Sequence, residues 1–178
     1  TKYANLQLLS GFPPPLFYSL YEQESNCPLG INCFKDYEDG LAYAKANNKP
    51  VMIDFTGWAC VNCRRMEENV WVNQEIFDRL NDDFVLISLY VDDRKELPLD
   101  EQFEYTTTDG RKKKIKTVGN KWATLQTETF VNNSQPYYVL MSPDEKLLNV
   151  PVGYTPDVAE YKEFLDCGLD AYEATKAM

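Results

Sequence analysis

Val51-Met52-Ile53-Asp54-Phe55-Thr56-Gly57-Trp58-Ala59-Cys60-Val61-Asn62-Cys63-Arg64-Arg65-Met66-Glu67 is the stretch on which the fold turns. Val51, Ile53 and Phe55 alternate with Met52 and Asp54 in a short β-rich run, which reads as a buried strand. Thr56-Gly57 breaks it. A helix is predicted from near Cys60 through Arg65, Met66 and Val70. The pair Cys60-x-x-Cys63 therefore sits at a helix N-terminus, where unpaired amides and the helix dipole favour negative charge. A thiol there ionises more easily, and the thiolate is the nucleophile. Cys60 is expected to be the first helical residue and exposed. Cys63, one turn later, is expected to be more buried and placed to attack a mixed disulfide on Cys60.

A strand, a turn and a helix around Cys-x-x-Cys point to redox chemistry. The alternatives are half a zinc site or two core cysteines. Zinc needs two further ligands, and Cys27-x5-Cys33 is a poor match. The sequence has no histidine, which excludes Ser-His-Asp and Cys-His catalysis, His-ligated zinc and a histidine axial ligand for haem. Arg64 after Cys63 excludes haem attachment through C-x-x-C-H. No bound metal, haem or other cofactor is expected beyond a redox-active Cys60–Cys63 disulfide.

Asp54 is a carboxylate within an apolar strand, unfavourable there if buried without a purpose. A buried acid beneath the dithiol would take the proton from Cys63 during exchange; the alternative is an exposed strand face. Glu67 shares a helix face with Cys63 at i, i+4. It reads either as a second proton acceptor or as a solvated glutamate. Trp58 reads as a surface aromatic beside the site, with a core tryptophan as the alternative.

Around this stretch the elements fall in the order β-α-β-α-β-β-α, with a helical prelude. The prelude starts at Asp36, with Tyr37, Leu41 and Ala44 on one apolar face, and stops at Asn47-Asn48-Lys49-Pro50. Asn73 to Leu80 is a further short helix. Phe84 to Val91 is almost wholly apolar and suits a strand covered on both faces, as in a parallel sheet. Residues 93–118 are polar and read as an insertion, with a turn at Asp109-Gly110. Lys121 to Phe130 is helical. Tyr137–Met141 and Leu147–Val152 form a hairpin, with Pro136 allowed at its start. A last helix opens at Pro156-Asp157 and carries Tyr161, Phe164 and Leu165, with Cys167 as an inert buried thiol.

The chain has 178 residues, the size of one domain with extensions, and 44% hydrophobic residues with 12 Tyr and 9 Phe, enough for a core of its own. Residues 1–33 read as an N-terminal extension or linker and 34–178 as the domain. Gly11-Phe12-Pro13-Pro14-Pro15 cannot be helix interior. The net charge of −10 argues against nucleic acid or an anionic membrane surface. The basic run Arg111-Lys112-Lys113-Lys114 reads as a solvated loop. No run of 18 apolar residues exists, and no signal peptide is visible. The first residue is Thr1, which reads as a processed piece with room upstream for a signal or membrane helices. The five cysteines divide into two pairs and a leftover; Cys27 and Cys33 are a candidate structural disulfide or two free thiols.

The segment Asp54 to Glu67 resembles the active-site segment of the C-terminal periplasmic domain of DsbD-type thiol:disulfide interchange proteins, also known as cytochrome c biogenesis proteins. The likeness lies in Cys-Val-x-Cys, the basic residue after it, and Glu four residues past the second Cys. It spans about residues 36–170. The resemblance implies an α/β thioredoxin-like fold, a central mixed sheet flanked by helices, with the insertion at about 93–118. It implies a protein-disulfide reductase with Cys60 as nucleophile, Cys63 as resolving thiol, and Asp54 and Glu67 as acids that tune the dithiol. Pro136 would be cis against the dithiol, leaving the backbone of Gln135 free to pair with a substrate chain. The partners implied are a membrane-embedded electron donor and periplasmic disulfide acceptors, and the location periplasmic, as the soluble domain of an anchored or exported protein. A net oxidant or isomerase, and a non-catalytic binding module, stay open beside it.

Overall fold

A computed structural model describes residues 27–177. Its centre is a four-stranded sheet of β1 (Cys33–Phe34), β2 (Val51–Thr56), β3 (Val85–Tyr90) and β6 (Tyr137–Met141). The spatial order is β1-β3-β2-β6. β1 and β2 both run parallel to β3, and β6 runs antiparallel to β2. All six residues of β2 and of β3 are buried, which explains why Phe84–Val91 lacks polar alternation: helices cover both faces.

Odd and even positions of each strand serve different cores. Val51, Ile53, Phe55, Ile87, Leu89 and Val139 face α1 (Tyr37–Asn47) and α4 (Val118–Phe130). Met52, Leu86, Tyr138 and Leu140 face α2 (Val61–Asn69) and α5 (Val158–Lys176), meeting Met66, Tyr161, Phe164 and Leu165. Each fully buried side chain of this kind contributes about 2 kcal/mol.

Local signals set the helix limits. Asp36 caps α1 by accepting from Glu38 N and Asp39 N, a contribution of about 1 kcal/mol. Asn48 closes α1 in the left-handed conformation. Thr117 caps α4 and Asp157 caps α5. α3 (Gln74–Asp78) is capped by Asn73 and continues into a π-type turn at Arg79–Asp83.

Several details differ from the sequence reading. The packed body begins upstream of residue 34, because Cys27, Ile31 and Cys33 belong to the core under α2 and α5. Cys27 and Cys33 form a disulfide, one of the two alternatives the sequence left open. The basic run is solvated, but Lys112–Ile115 is β5, paired antiparallel with β4 (Phe103–Thr106) as a hairpin. Residues 147–152 form no regular strand and pair with β6 at the isolated bridges Met141↔Leu147 and Tyr138↔Val152. Pro151 lacks a donor there, and the Asn149 side chain binds Phe164 O and Val150 N instead of leaving the ladder regular. Cys167 is exposed. The buried stripe of α5 runs through Tyr161, Phe164, Leu165, Gly168 and Tyr172, and Cys167 is one residue off it.

α4 enters close against the end of β3. A Cβ on Gly119 would meet Asp93 O at 2.6 Å, Asp93 N at 2.7 Å and Val91 O at 2.7 Å. Backbone cannot step aside as a side chain can. Gly119→Ala is therefore expected to cost about 2 kcal/mol or more, read as a lower urea midpoint with an unchanged slope.

Candidate active site

The exits of β2 and β3 lie side by side, and the cysteine pair sits on the first. Cys60 is the cap residue of α2 rather than its first helical residue, and it is half-buried. Its Sγ accepts from Cys63 N at 3.1 Å. Cys63 is buried, at 2% exposure. The two form a disulfide. The amide that reaches Cys60 Sγ is one of those that helix geometry leaves unpaired, so charge on that sulfur is met by a donor already in place.

Under α2 the even-numbered face of the sheet turns polar. Met52 gives way to Asp54 and Thr56, and Leu86 to Ser88, with Tyr90 beyond. Asp54 is 3% exposed and pairs in register with Ser88, whose hydroxyl donates to Asp54 Oδ2 at 3.3 Å. Burial, then the nearby Glu67 charge, push the Asp54 carboxyl up to about 7. Glu67 turns inward from α2 and is 8% exposed. Burial raises it to about 7 as well, against the pull of Arg64, whose guanidinium lies 2.9 Å away. The exposed alternatives for both acids do not describe this geometry. Arg64 also reaches Thr56 Oγ1 at 3.4 Å.

Trp58 is 59% exposed and stacks on Tyr90 with ring centroids 4.1 Å apart. Lys35 Nζ lies 5.9 Å from its ring centre. The Gln135–Pro136 peptide is cis. An open groove of about 340 Å³ runs past the disulfide, lined by Gly57, Ala59, Cys60, Val61, Asn62, Val91, Asp92 and Gln135.

Two contributors escaped the sequence reading. Gln126, a polar residue on α4 at 1% exposure, donates to Ser134 O at 2.8 Å and Asn132 Oδ1 at 3.1 Å, and accepts from Gln135 Nε2 at 2.8 Å. It shapes the loop before Pro136. Asp92 accepts from Trp58 N at 2.8 Å and Ala59 N at 3.0 Å. Asp92's partners lie more than 30 residues upstream, and those of Gln126 six to nine residues on, a spacing that fits no helix or strand period, so no local pattern announced either.

Among the described residues, no group of three or more His, Cys, Asp and Glu side chains could hold a metal ion. None of their helices is long and apolar enough to cross a membrane. Chemically, the arrangement offers a nucleophilic sulfur at a donor-rich helix end, a buried second sulfur, and a buried acid that titrates near neutrality.

Residues 32–143 match the family described as thioredoxin-like, and the chain belongs to that family. Among solved structures, one described as the DsbH oxidoreductase is similar at 18% identity with a TM-score of 0.55, over 85% of this chain and 95% of that one. A thioredoxin from Thermus thermophilus is similar at 20% identity with a TM-score of 0.52, over 75% and 84%. These likenesses are of fold. No curated protein matches the chain.

The raised Asp54 carboxyl has a consequence for stability. A carboxyl held near 7 in the folded chain and near 3.8 unfolded binds its proton more tightly when folded. It costs nothing below about pH 4, and its penalty grows as pH rises toward 7 and then levels off. Asp54→Asn should therefore gain stability over the native chain across that window, by on the order of 4 kcal/mol above pH 7. Urea melts at pH 4 and pH 8 check this; equal differences at both would contradict it.

Proposed function

We propose that this member of the thioredoxin-like family is a protein-disulfide reductase working through Cys60 and Cys63. The observation that carries the reading is the Cys60–Cys63 disulfide at the head of α2, with Asp54 buried on the strand beneath. In the dithiol form the Cys60 thiolate attacks one sulfur of a partner disulfide. A mixed disulfide forms, and the partner's other sulfur leaves and takes a proton. Asp54 then accepts the Cys63 proton, and the Cys63 thiolate attacks Cys60 Sγ. The partner's second thiol is released, and the Cys60–Cys63 disulfide remains. Two electrons have passed to the partner, and a donor dithiol restores the start.

Arg64 divides the labour between the acids. It pairs with Glu67 and favours its charged form. Asp54 has Ser88 for a partner and lies deeper. Asp54 is the proton acceptor in this reading, and Glu67 adjusts its affinity for the proton. Gln135, at one wall of the groove, and Pro136 after it present backbone to an extended partner chain, and Trp58 is the exposed aromatic between the groove residues Gly57 and Ala59.

The finer assignment is to the DsbD type, as a periplasmic domain fed by a membrane-embedded dithiol and acting in cytochrome c biogenesis. It is supported by the segment Asp54–Glu67, with Val61 between the cysteines and Glu67 facing inward. The chain upstream of the packed body would tether it to the membrane.

Cys60→Ser should lose reduction of a protein disulfide such as insulin by at least roughly 100-fold. Cys63→Ser should instead accumulate a mixed disulfide visible on a non-reducing gel. Insulin reduction by Cys60→Ser at the native rate would end the proposal. A dithiol as oxidising as a strong disulfide-forming catalyst would favour the oxidant reading.

A further inference from the structure

Asp92 is an exposed residue, yet its carboxylate is fully engaged. Both oxygens are used, one on Trp58 N and one on Ala59 N. It also crowds Gly57, where a Cβ would lie 3.0 Å from Oδ2. The Gly57-Trp58-Ala59 turn is thus folded around this one carboxylate, and the turn closes with Cys60 N donating to Gly57 O at 3.2 Å. Asp92 itself is held from behind. It is flanked by Val91, whose N donates to Thr56 O, and by Asp93, whose carbonyl accepts from Gly119 N.

The same residue lines the groove beside Cys60. The amides it holds belong to the two residues directly before Cys60. Donors at a helix N-terminus stabilise a thiolate. An anion bound to the amides just before that terminus opposes them. A dithiol whose thiolate is stabilised is a strong oxidant, because its reduced form is favoured; withholding that stabilisation makes the pair a better reductant.

We propose that Asp92 is a positioning residue of the dithiol: it fixes the Trp58–Ala59 turn and keeps a negative charge beside Cys60 that disfavours the thiolate, poising the pair to give electrons away. This rests on thiol–disulfide exchange at Cys60 and Cys63 and supplies the direction that the reductase reading needs. The other charged groups near this end of the sheet include Asp54 of β2, Arg64 and Glu67 of α2, Lys35 after β1, Asp93 and Lys95, and the Asp92 variants leave all of them unchanged in sequence.

The test is equilibration with glutathione, in which two glutathione thiols reduce the Cys60–Cys63 disulfide and leave the dithiol and one glutathione disulfide. At pH 7, Asp92→Asn should shift this equilibrium about threefold toward the dithiol, which is about 14 mV more oxidising. The pH midpoint of iodoacetamide reaction at Cys60 should fall by about half a unit. Asp92→Glu should stay close to the native value. The Asp–Asn difference should narrow as the pH is lowered from 7 to 5, because protonation of the thiol removes the charge that Asp92 opposes; a purely structural role would not produce that pH profile. Should Asp92→Asn fail to melt cooperatively, Asp92→Ser makes the same change in charge. An unchanged equilibrium in a folded neutral variant overturns the proposal, and so does a shift seen in Asp92→Ala but not in Asp92→Asn. Glutathione equilibration needs no protein partner, so it can fail or succeed independently of insulin reduction.

Discussion

The parallel pairing of β2 with β3, in the register Val51↔Val85 through Thr56↔Tyr90, is the constraint from which the site follows. Because the strands run the same way and end level, their exit loops leave the sheet at the same edge. One exit carries Trp58, Ala59 and Cys60; the other carries Val91 and Asp92. The stack of Trp58 on Tyr90, the bond from Ser88 to Asp54 and the clasp of Asp92 on the turn are all contacts between these two strands or their ends. Strand side chains alternate with a period of two, so a slip of one residue would turn Ser88 away from Asp54 and put an apolar neighbour against a buried carboxyl.

Polarity on this face is graded. Toward the far end, Met52, Leu86 and Leu140 meet an apolar helix surface. Toward the dithiol, Asp54, Ser88 and Thr56 take the same positions on the pleat, all nearly devoid of solvent. Two carboxyls and one guanidinium share that space. Their energies oppose one another: burial raises both acids, and Arg64 lowers both. The fold spends stability here on a group that can hold or release a proton near neutral pH.

Much of this was legible in the sequence because it is local. The period-two run at Val51–Phe55, the Gly57 break and the helix starting near Cys60 each occupy a few adjacent residues. The buried acid was visible as a violation, a charge where the pattern asks for an apolar side chain. The inward turn of Glu67 was not decided, since i, i+4 spacing gives a face and not its depth. Cys167 was misplaced for a similar reason: a thiol fits a core or a surface equally well, and one residue of helical phase separates the two. Asp92 holds two backbone amides that strand pairing brings near it, and Gln126 holds the loop that follows its own helix; neither arrangement has a sequence period to betray it. The bridging stretch at residues 147–152 showed its apolar residues in sequence, but the interruption by Pro151 and Asn149 outweighed them.

The β4–β5 hairpin between β3 and α4 is bound at its tip, where Thr108 donates from both N and Oγ1 to Glu128 of α4. Among the described residues it pairs with no third named strand, and the edge of a sheet is where a further strand can pair. Lys112, Lys113 and Lys114 lie along that edge, all exposed. A second copy pairing β5 to β5 would bring its own lysines alongside these. Charged side chains, lysine above all, discourage pairing at a sheet edge, so the basic run, uninformative as a sign of ligand, marks an edge ill suited to adding an identical strand.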